Sequence, residues 1–386
     1  MKKRKICLIT GSRADYGLLY GLMRSIDKDK DFLLQVIATG MHLSPEFGLT
    51  YREIEKDGFE INKKVEMLLS ADTPSSISKS TGLGLLGFSD AFEDLSPDIA
   101  ILLGDRFEIL ASALALTFSK IPFAHLHGGE STEGAFDESI RHSITKMAWW
   151  HFVAADEYKQ RVIQLGENPK KVFNVGGLGV DIIRRTKLLS KNELEQKTDI
   201  RFAKKNLLIT FHPVTLDRNS SQKDFNALIS VLKDLKDSFL IFTMPNADSE
   251  GRIIKNIIND FVSVHSKNSI AFETMGNLNY LSTLQFVDAV IGNSSSGLTE
   301  APTFKIGTIN IGDRQKGRLK SKSVIDCKPN KKSISKAIED LYSREFQKSL
   351  FDVENPYGDG FASEKIISIL KKETIPKELK KKFYDL

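Results

Sequence analysis

The segment 98-DIAILLGDRFEIL-110 joins an uninterrupted aliphatic run to a polar turn and the start of a helical pattern. A run without polar alternation is typical of a parallel strand buried on both faces. Strand–helix alternation of this kind predicts parallel sheets covered by helices on both sides. Nine further short apolar runs repeat the arrangement: 5-KICLIT, 34-LQVIATG, 121-IPFAHLH, 151-HFVAAD, 207-LLITFHP, 239-FLIFTMP, 269-SIAFET, 288-DAVIGNS and 307-GTINIGD.

The number of strands exceeds what one sheet would hold, and 386 residues suit two domains of ordinary size. The alternating pattern restarts near Leu207 after the charged stretch 184-RRTKLLSKNELEQKTDIRFAKKN-206. We therefore expect an α/β protein with two doubly wound domains, 1–180 and 181–365. If the two domains face each other, the carboxyl ends of both sheets meet at one cleft, where open α/β sheets bind ligands.

Composition excludes several classes of protein. Apolar residues make up 41% and charged residues 27% of the chain, as in a globular enzyme. The 55 basic residues are nearly matched by 50 acidic ones, which argues against a nucleic-acid partner. The chain has two cysteines, Cys7 and Cys327, which argues against a disulfide framework and indicates a reducing compartment. The apolar run after 1-MKKRK is too short for a signal peptide or a membrane span, so we expect a cytoplasmic protein with no membrane partner.

Asp105 directly follows the buried strand of the opening segment, a position that favours a functional carboxylate. A structural interpretation is equally open, because Asp105 and Glu108 have the spacing of a capping box at the start of the next helix.

The segment 121-IPFAHLHGGESTEGAFDESIRH-142 gathers titratable groups at the end of another predicted strand. His125 and His127 share one face of that strand, and Glu130 follows two glycines. Asp137, Arg141 and His142 lie near one side of the next helix. Asp137 could instead cap that helix, and His125 could be a hydrogen-bonded core histidine. A zinc site is disfavoured, because no third and fourth ligands follow at a recognisable spacing.

Phosphate-binding features follow other strands. In 11-GSRADYG-17 a glycine–serine turn enters a helix and Arg13 adds positive charge, although an ordinary turn with a solvated arginine is also possible. The most specific signal is 288-DAVIGNSSSGLTEAP-302, where a strand runs into three serines before a helix that carries Glu300. Hydroxyl and amide groups at such a helix N-terminus can hold a diphosphate. His212, Arg314 and Arg318 also follow strands.

Together these segments resemble the hydrolysing UDP-N-acetylglucosamine 2-epimerases of sialic acid biosynthesis, and most closely the bacterial capsule-pathway branch. The resemblance covers roughly residues 5–320. It is carried by 11-GSRADYG, 39-TGMHLSPEFG, 104-GDRFE, 127-HGGE, 137-DESIRHSITKM, 161-RVIQLGE, 174-NVGGLGVD, 212-HPVT, 292-GNSSSGL, 300-EAP and 310-NIGDRQKGR.

The resemblance implies a GT-B arrangement of two Rossmann-like domains, with the active site in the cleft between them. Residues 1–180 would carry the sugar and the catalytic acids, residues 181–365 would bind UDP, and a C-terminal helix within 366–386 would cross back to the first domain. The implied reaction converts UDP-N-acetylglucosamine and water into N-acetylmannosamine and UDP, through anti elimination to 2-acetamidoglucal and hydration.

The resemblance also implies roles for individual residues. Asp105 and Asp137 would be the catalytic carboxylates, with His212 beside them. His42 and Arg141 would lie near the sugar. The nucleotide and its diphosphate would be held by Arg13, Arg106, Gly176, His212, Asn246, Ser294, Ser295, Glu300 and Arg314.

One position departs from the wider family, since many relatives carry glutamate where this chain has His127. The second acid–base partner is therefore either His127 or Glu130. No metal or cofactor is implied, the partner is a small nucleotide sugar, and relatives suggest a homo-oligomer, either a dimer or a tetramer.

Rival activities remain open at this level. The same chemistry could act on UDP-2,4-diacetamido-2,4,6-trideoxyglucose, as in the legionaminic acid pathway. A non-hydrolysing 2-epimerase, a GT-B glycosyltransferase and a non-catalytic nucleotide-sugar sensor fit the residues less well, because several acids gather where the sugar would lie.

Overall fold

The computed structural model describes residues 3–71, 73–131, 137–213, 220–245 and 249–386. The chain divides into two compact units, one formed by Met1–Ile182 with Tyr357–Leu386 and the other by Ile183–Pro356. The predicted division between 180 and 181 falls close to the first of these boundaries. The chain rejoins the first unit at Tyr357, earlier than the predicted 366.

Within the described residues, the first unit contains a seven-stranded parallel sheet in the order β3-β2-β1-β4-β5-β6-β7. From β1 the chain first adds β2 and β3 on one side of the sheet. It then crosses back to place β4 on the other side of β1 and adds β5, β6 and β7 beyond it. The order of the strands therefore reverses between β1 and β4, as in Rossmann folds. The strands are β1 (Arg4–Thr10), β2 (Phe32–Thr39), β3 (Lys63–Val65), β4 (Ile99–Leu103), β5 (Phe123–Leu126), β6 (Trp150–Val153) and β7 (Val172–Asn174).

Helices cover both faces of this sheet. Along β1, Ile6 and Leu8 belong to one buried cluster while Cys7 and Ile9 belong to another, so both faces of the strand are apolar. The helices in this part of the chain are α1 (Arg13–Asp27), α2 (Tyr51–Lys56), α3 (Pro74–Leu95), α4 (Phe107–Phe118), α5 (Asp137–Met147), α6 (Asp156–Gln164) and α7 (Leu178–Arg185).

Helix α1 shows how the sequence specifies these elements. The Ser12 side chain caps it by accepting a hydrogen bond from the Asp15 N–H group, and Leu19, Leu22 and Ile26 form its buried stripe. Burial of each such side chain contributes about 2 kcal/mol. The cap and the stripe together fix where α1 begins and which face it turns to the sheet.

The second unit contains a six-stranded parallel sheet in the order β10-β9-β8-β11-β12-β13 among its described residues. Its strands are β8 (Lys205–Thr210), β9 (Ser238–Thr243), β10 (Ser269–Phe272), β11 (Ala289–Gly292), β12 (Gly307–Ile311) and β13 (Val324–Cys327). Its helices are α8 (Lys191–Thr198), α9 (Ser220–Leu232), α10 (Ser249–Val264), α11 (Gly276–Thr283), α12 (Ser296–Thr299), α13 (Lys331–Leu341) and α14 (Arg344–Ser349).

All ten strands expected from apolar runs are present, and the predicted fold class of two Rossmann-like α/β domains is confirmed. The structure adds β3, β7 and β13, which the sequence did not reveal. Each of them is three or four residues long and lies at the outer edge of its sheet. Edge strands bury less surface, so their sequences carry a weaker apolar signal.

The chain ends with a segment that packs on the first unit. Its helix α15 (Ala362–Lys372) adds Ile366 and Leu370 to the core around β1. The Ser363 hydroxyl donates to Asp181 Oδ2 at 2.6 Å. Gly176 has a φ of +89°, and a Cβ placed there would lie 3.1 Å from the Tyr357 carbonyl oxygen. Gly176 was expected near the nucleotide. In the structure a glycine is needed at this position because the chain passes close to it at Tyr357, where it rejoins the first unit.

None of the helices in the described ranges combines the length and apolar character needed to cross a bilayer.

Candidate active site

The loops that follow β1, β2, β4 and β5 leave the same edge of the first sheet, because its strands run parallel. The predicted site residues Asp137 and Arg141 lie on α5, which follows β5. Six other predicted residues lie on the loops themselves or at their ends: Arg13, His42, Asp105, Arg106, His127 and Glu130.

Asp105 forms an ion pair with Arg141 and does not cap α4. The N-cap residue is Arg106, whose side chain caps no N–H group in the described chain, so the capping-box interpretation is wrong. Gly104 precedes the aspartate with a φ of +80°, and its carbonyl oxygen lies 2.8 Å from His125 Nε2. These features hold the backbone that leads into Asp105.

Asp137 is the first residue of α5 and lies within electrostatic reach of Asp105. Partial burial raises the pKa of the Asp137 carboxyl, and the Asp105 carboxylate raises it further. The guanidinium groups of Arg106 and Arg141 oppose this rise. Asp137 thus lies within the electrostatic influence of one further carboxyl and two arginines, an arrangement that suits proton transfer.

His127 and Glu130 form a second pair at the end of β5. His127 has a φ of +62°, uncommon for a residue other than glycine, and its Nδ1 lies 2.8 Å from Glu130 Oε1. The Leu178 N–H group donates to His127 Nε2 at 3.4 Å. Nε2 is the acceptor in this contact, while Nδ1 faces the glutamate. Both ring nitrogens are therefore engaged within the protein.

Two histidines at this edge are buried and hydrogen-bonded. His125 is fully buried, with Nδ1 lying 3.0 Å from the Thr145 hydroxyl, which supports its interpretation as a core histidine. His42 was expected near the sugar, but its ring has no exposed surface and lies between the hydroxyls of Thr10 and Thr50 at 3.0 and 2.7 Å. Burial lowers the pKa of His42 to about 4. His42 is thus held in place behind the end of β2 by two hydroxyl groups, and its position near the sugar stays a prediction.

The other charged residues of this edge differ in burial. The Arg13 side chain is 68% exposed and pairs loosely with Glu53 at 3.2 Å, so it can reach a ligand at little cost. Arg141 is buried and also lies 3.3 Å from Glu138, which in turn lies 3.1 Å from His142 Nε2. Glu138 was not predicted as a site residue, although its spacing from Arg141 and His142 places all three on one helix face.

In the second unit, Asn293 follows β11 and forms hydrogen bonds with residues that follow the neighbouring strands β8 and β12. Its side-chain oxygen accepts from the His212 N–H group at 2.7 Å, and its side-chain nitrogen donates to the His212 carbonyl at 2.8 Å. Its own carbonyl accepts from Arg314 Nη1 at 2.9 Å and from Gln315 Nε2 at 2.8 Å. Asn293 was not predicted, although it lies inside the serine-rich motif that was singled out.

The serine-rich turn begins at Gly292, where a Cβ would lie 1.9 Å from the Thr210 carbonyl oxygen. Glycine is therefore obligatory at this position. Ser295 is the N-cap of α12, but that helix has only four residues. Its dipole is therefore weaker than the dipole of the longer helix that the sequence predicted. The Tyr280 hydroxyl donates to Ser296, whose hydroxyl donates to Glu300 at 2.5 Å. Burial raises the pKa of Glu300.

A cavity of about 940 Å³ opens beside Asn293 and Arg314. Its volume is typical of small-molecule sites. Burial and the neighbouring Arg318 lower the pKa of Arg314, so a bound anion would stabilise its charge. Further charged residues line the cavity: the basic Lys223, Lys316, Lys320 and Lys328 and the acidic Asp224, Asp313 and Asp326.

Asn246, predicted to hold the nucleotide, lies outside the described residues. Among the residues that are described, no group of three or more His, Cys, Asp or Glu side chains is placed to hold a metal ion.

The protein has two Rossmann-like sheets. One carries a cluster of carboxyls and arginines at its edge, and the other carries a turn rich in amide and hydroxyl groups beside a basic cavity. This combination is typical of α/β proteins that process nucleotide sugars. A family model described as UDP-N-acetylglucosamine 2-epimerase matches residues 24–371. The chain belongs to the UDP-N-acetylglucosamine 2-epimerase family.

Three relatives match over nearly their whole length. The GDP/UDP-N,N'-diacetylbacillosamine 2-epimerase (hydrolyzing) of Campylobacter jejuni is 47% identical, covering 100% of both chains. The polysialic acid biosynthesis protein P7 of Escherichia coli is 37% identical, covering 99% of this chain and 98% of its own. The UDP-N,N'-diacetylbacillosamine 2-epimerase (hydrolyzing) of Legionella pneumophila is 36% identical, covering 97% and 96%.

Solved structures share the fold. The UDP-GlcNAc 2-epimerase of Neisseria meningitidis bound to UDP-GlcNAc matches with a TM-score of 0.76 and 19% identity, over 96% of this chain and 100% of that one. The Methanocaldococcus jannaschii enzyme in complex with UDP-GlcNAc and UDP matches with a TM-score of 0.74 and 19% identity, over 96% and 100%.

Proposed function

We propose that the protein is a hydrolysing 2-epimerase of a UDP-activated 2-acetamido sugar. The observation that carries this proposal is the Asp105, Asp137 and Arg141 cluster at one sheet edge, beside the pair of His127 and Glu130. The substrate and water would give UDP and the free sugar with inverted configuration at C2.

The chemistry explains why several acids are needed. The C2 proton of a hexosamine is not next to a carbonyl and is weakly acidic. A carboxylate can remove it if the C1–O bond to the diphosphate breaks at the same time. The C2–H electron pair then forms the C1–C2 double bond, and UDP leaves with the electrons of the broken bond. Water next adds its hydroxyl to C1, and a proton is delivered to the opposite face of C2.

Asp105 and Asp137 are the proposed carboxylates of this cycle. A base that must later act as an acid works best with a raised pKa, which burial and mutual repulsion give to Asp137. Arg141 holds the Asp105 side chain in place through their ion pair.

For the second acid–base partner we propose Glu130, oriented by His127. The histidine has both nitrogens engaged, Nε2 with Leu178 and Nδ1 with Glu130, so it lacks a free nitrogen for the substrate. The Glu130 side chain keeps 21% of its surface exposed at this edge of the sheet, so a substrate can reach it.

The second unit is the proposed UDP-binding part. Asn293 fixes the His212 backbone and Arg314, which leaves the Ser294 and Ser295 turn and the basic cavity for the nucleotide. Glu300, which is partly buried, would bind ribose hydroxyls.

A 2,4-diacetamido sugar is the substrate that the comparisons favour. The two relatives named for N,N'-diacetylbacillosamine are 47% and 36% identical over nearly the full chain. UDP-N-acetylglucosamine, with N-acetylmannosamine as product for sialic acid biosynthesis, is the second candidate. It is supported by the 37% identical polysialic acid biosynthesis protein.

Proton NMR in deuterated water tests the proposal with the two UDP-sugars in parallel. We expect free UDP and a free sugar that carries deuterium at C2, formed faster from the 2,4-diacetamido substrate. Faster turnover of UDP-N-acetylglucosamine would reverse the substrate assignment.

Other products would identify the rival activities. An intact UDP-sugar epimer would indicate a non-hydrolysing enzyme. Unchanged substrate that binds without reacting would indicate a sensor, and reaction only when an acceptor sugar is added would indicate a glycosyltransferase.

A further inference from the structure

Glu108 is a buried carboxyl that the proposed mechanism does not use. It is the second residue of α4, and its side chain has no exposed surface. Its Oε1 lies 2.5 Å from Arg106 Nε, while its Oε2 accepts no hydrogen bond from any described residue. A buried carboxyl with one unsatisfied oxygen is costly, so a compensating role is expected.

The turns after β1 and β2 form a slot for this carboxyl. A Cβ on Gly11 would lie 2.6 Å from Glu108 Oε1, closer than real Cβ atoms approach a neighbour. A Cβ on Gly40, whose φ is +56°, would lie 3.0 Å from the Gly11 carbonyl oxygen. A side chain at either turn would therefore disturb the slot. Two glycines and one carboxyl fit together at the edge of the sheet that carries the candidate acids.

The slot determines where the charge of Arg106 lies. The arginine side chain is 40% exposed, and its Nη2 also contacts Met41 Sδ at 3.6 Å. Its guanidinium is close enough to Asp137 to act against the raised pKa of that carboxyl. An arginine without an anchor would pair directly with a nearby carboxylate, because such pairs are strong. Such a pair would block the carboxyl as a base.

We propose that Glu108 is a positioning residue, which holds Arg106 by its Nε, keeps it from closing onto Asp137 and leaves its charge available to the departing diphosphate. This inference rests on the proposed function. In this proposal Glu108 does not contact the substrate. It influences the reaction only by holding Arg106 in place.

Glu108→Leu and Glu108→Gln separate this role from a purely structural one. Glutamine keeps an acceptor oxygen for Arg106 Nε, so we expect kcat/KM within about threefold of wild type. Leucine keeps the volume but frees the arginine, so we expect kcat/KM to fall by about tenfold to a hundredfold.

The pH profile supplies a second readout. The Glu108 carboxyl itself helps to raise the pKa of Asp137, and Arg106 lowers it. The Glu108→Leu substitution removes the carboxyl that raises the pKa of Asp137 and frees the arginine that lowers it. Both effects lower the pKa of Asp137, so the acid limb of the kcat/KM profile should move to lower pH. Ser112→Ala is the matched control, because Ser112 is buried on the same helix, one turn further on, and is not part of the site. It should leave the profile unchanged.

Gly11→Ala tests the slot without removing the carboxyl. Its methyl group would displace Glu108, so it should also move the acid limb to lower pH. If circular dichroism shows that Glu108→Leu does not fold, Gly11→Ala tests the positioning role of Glu108 in its place.

The outcomes separate this inference from the proposed function. An inactive wild-type protein would contradict the epimerase assignment itself. An active wild type, with variants whose acid limb stays in place or with glutamine as damaging as leucine, would overturn the positioning role alone.

Discussion

At the residue scale, Asp105 shows how one side chain can have two interpretations that only its partners distinguish. Its spacing from Glu108 fits a capping box, yet the structure pairs it with Arg141, 36 residues along the chain. Glu108 turns inward to Arg106 instead. The acids at this edge are thus held by arginines and not used to cap the helix.

Asp105→Asn and Asp137→Asn should each reduce kcat by about a hundredfold to ten-thousandfold, because each removes a proposed proton-transfer group. UDP affinity should stay nearly unchanged, since the nucleotide is assigned to other residues. UDP-release kinetics and calorimetric titration with UDP measure the two quantities. Ser143→Ala is the control, as Ser143 lies exposed on α5. Full activity in both asparagine variants would refute the assignment.

Glu130→Gln should reduce kcat more than His127→Gln. The glutamine at 130 cannot exchange a proton, whereas glutamine at 127 can still donate to the carboxylate that His127 Nδ1 contacts. The comparison is made by steady-state kinetics at one pH and over a pH series. A larger loss for His127→Gln would make the histidine the acid–base partner.

At the element scale, buried histidines support the strand ends of the first sheet. His42 follows β2 and His125 lies within β5, and burial lowers their pKa values to about 4 and about 3. A histidine ordinarily titrates near 6.5, so the unfolded chain binds protons at a pH where these rings remain neutral. Their contribution to stability is present above about pH 6.5 and is lost as the pH falls below it.

We expect the first unit to lose about 2 kcal/mol of unfolding free energy per buried histidine between pH 7.5 and pH 5. Both tryptophans, Trp149 and Trp150, lie in this unit, so urea unfolding followed by tryptophan fluorescence reports on it. The variant His265→Asn, in the second unit, should show the same pH dependence as wild type. A stability that is constant between the two pH values would contradict this account.

At the scale of the whole molecule, the C-terminal segment completes the first unit. Glu167 is 2% exposed and accepts from Lys146, His151 and Lys381 at 2.6, 2.9 and 2.6 Å. The Tyr384 N–H group donates to the Gly166 carbonyl at 2.9 Å. Residues more than 200 positions apart thus share one buried network, and the pKa of Glu167 falls to about 2 although burial alone would raise it. The expected homo-oligomer and cytoplasmic location stay predictions.

Lys381→Ala should destabilise the first unit by about 1–3 kcal/mol, because it leaves a buried carboxylate with one donor fewer. The exposed Lys377 lies on the same segment, so Lys377→Ala is the matched control and should change stability by less than about 0.5 kcal/mol. Thermal unfolding monitored by tryptophan fluorescence measures both variants. Equal melting temperatures for the two would show that the network adds no stability.

The sequence by itself determined the fold class, ten of the thirteen strands among the described residues and the loops that carry the candidate acids, because apolar periodicity and turn residues are local properties. It could not determine the edge strands β3, β7 and β13, the burial of His42, the close approach of Tyr357 to Gly176 or the hydrogen bonds of Asn293. Each of these depends on contacts between segments distant along the chain, and charge pairing and desolvation act only once the fold has brought those segments together.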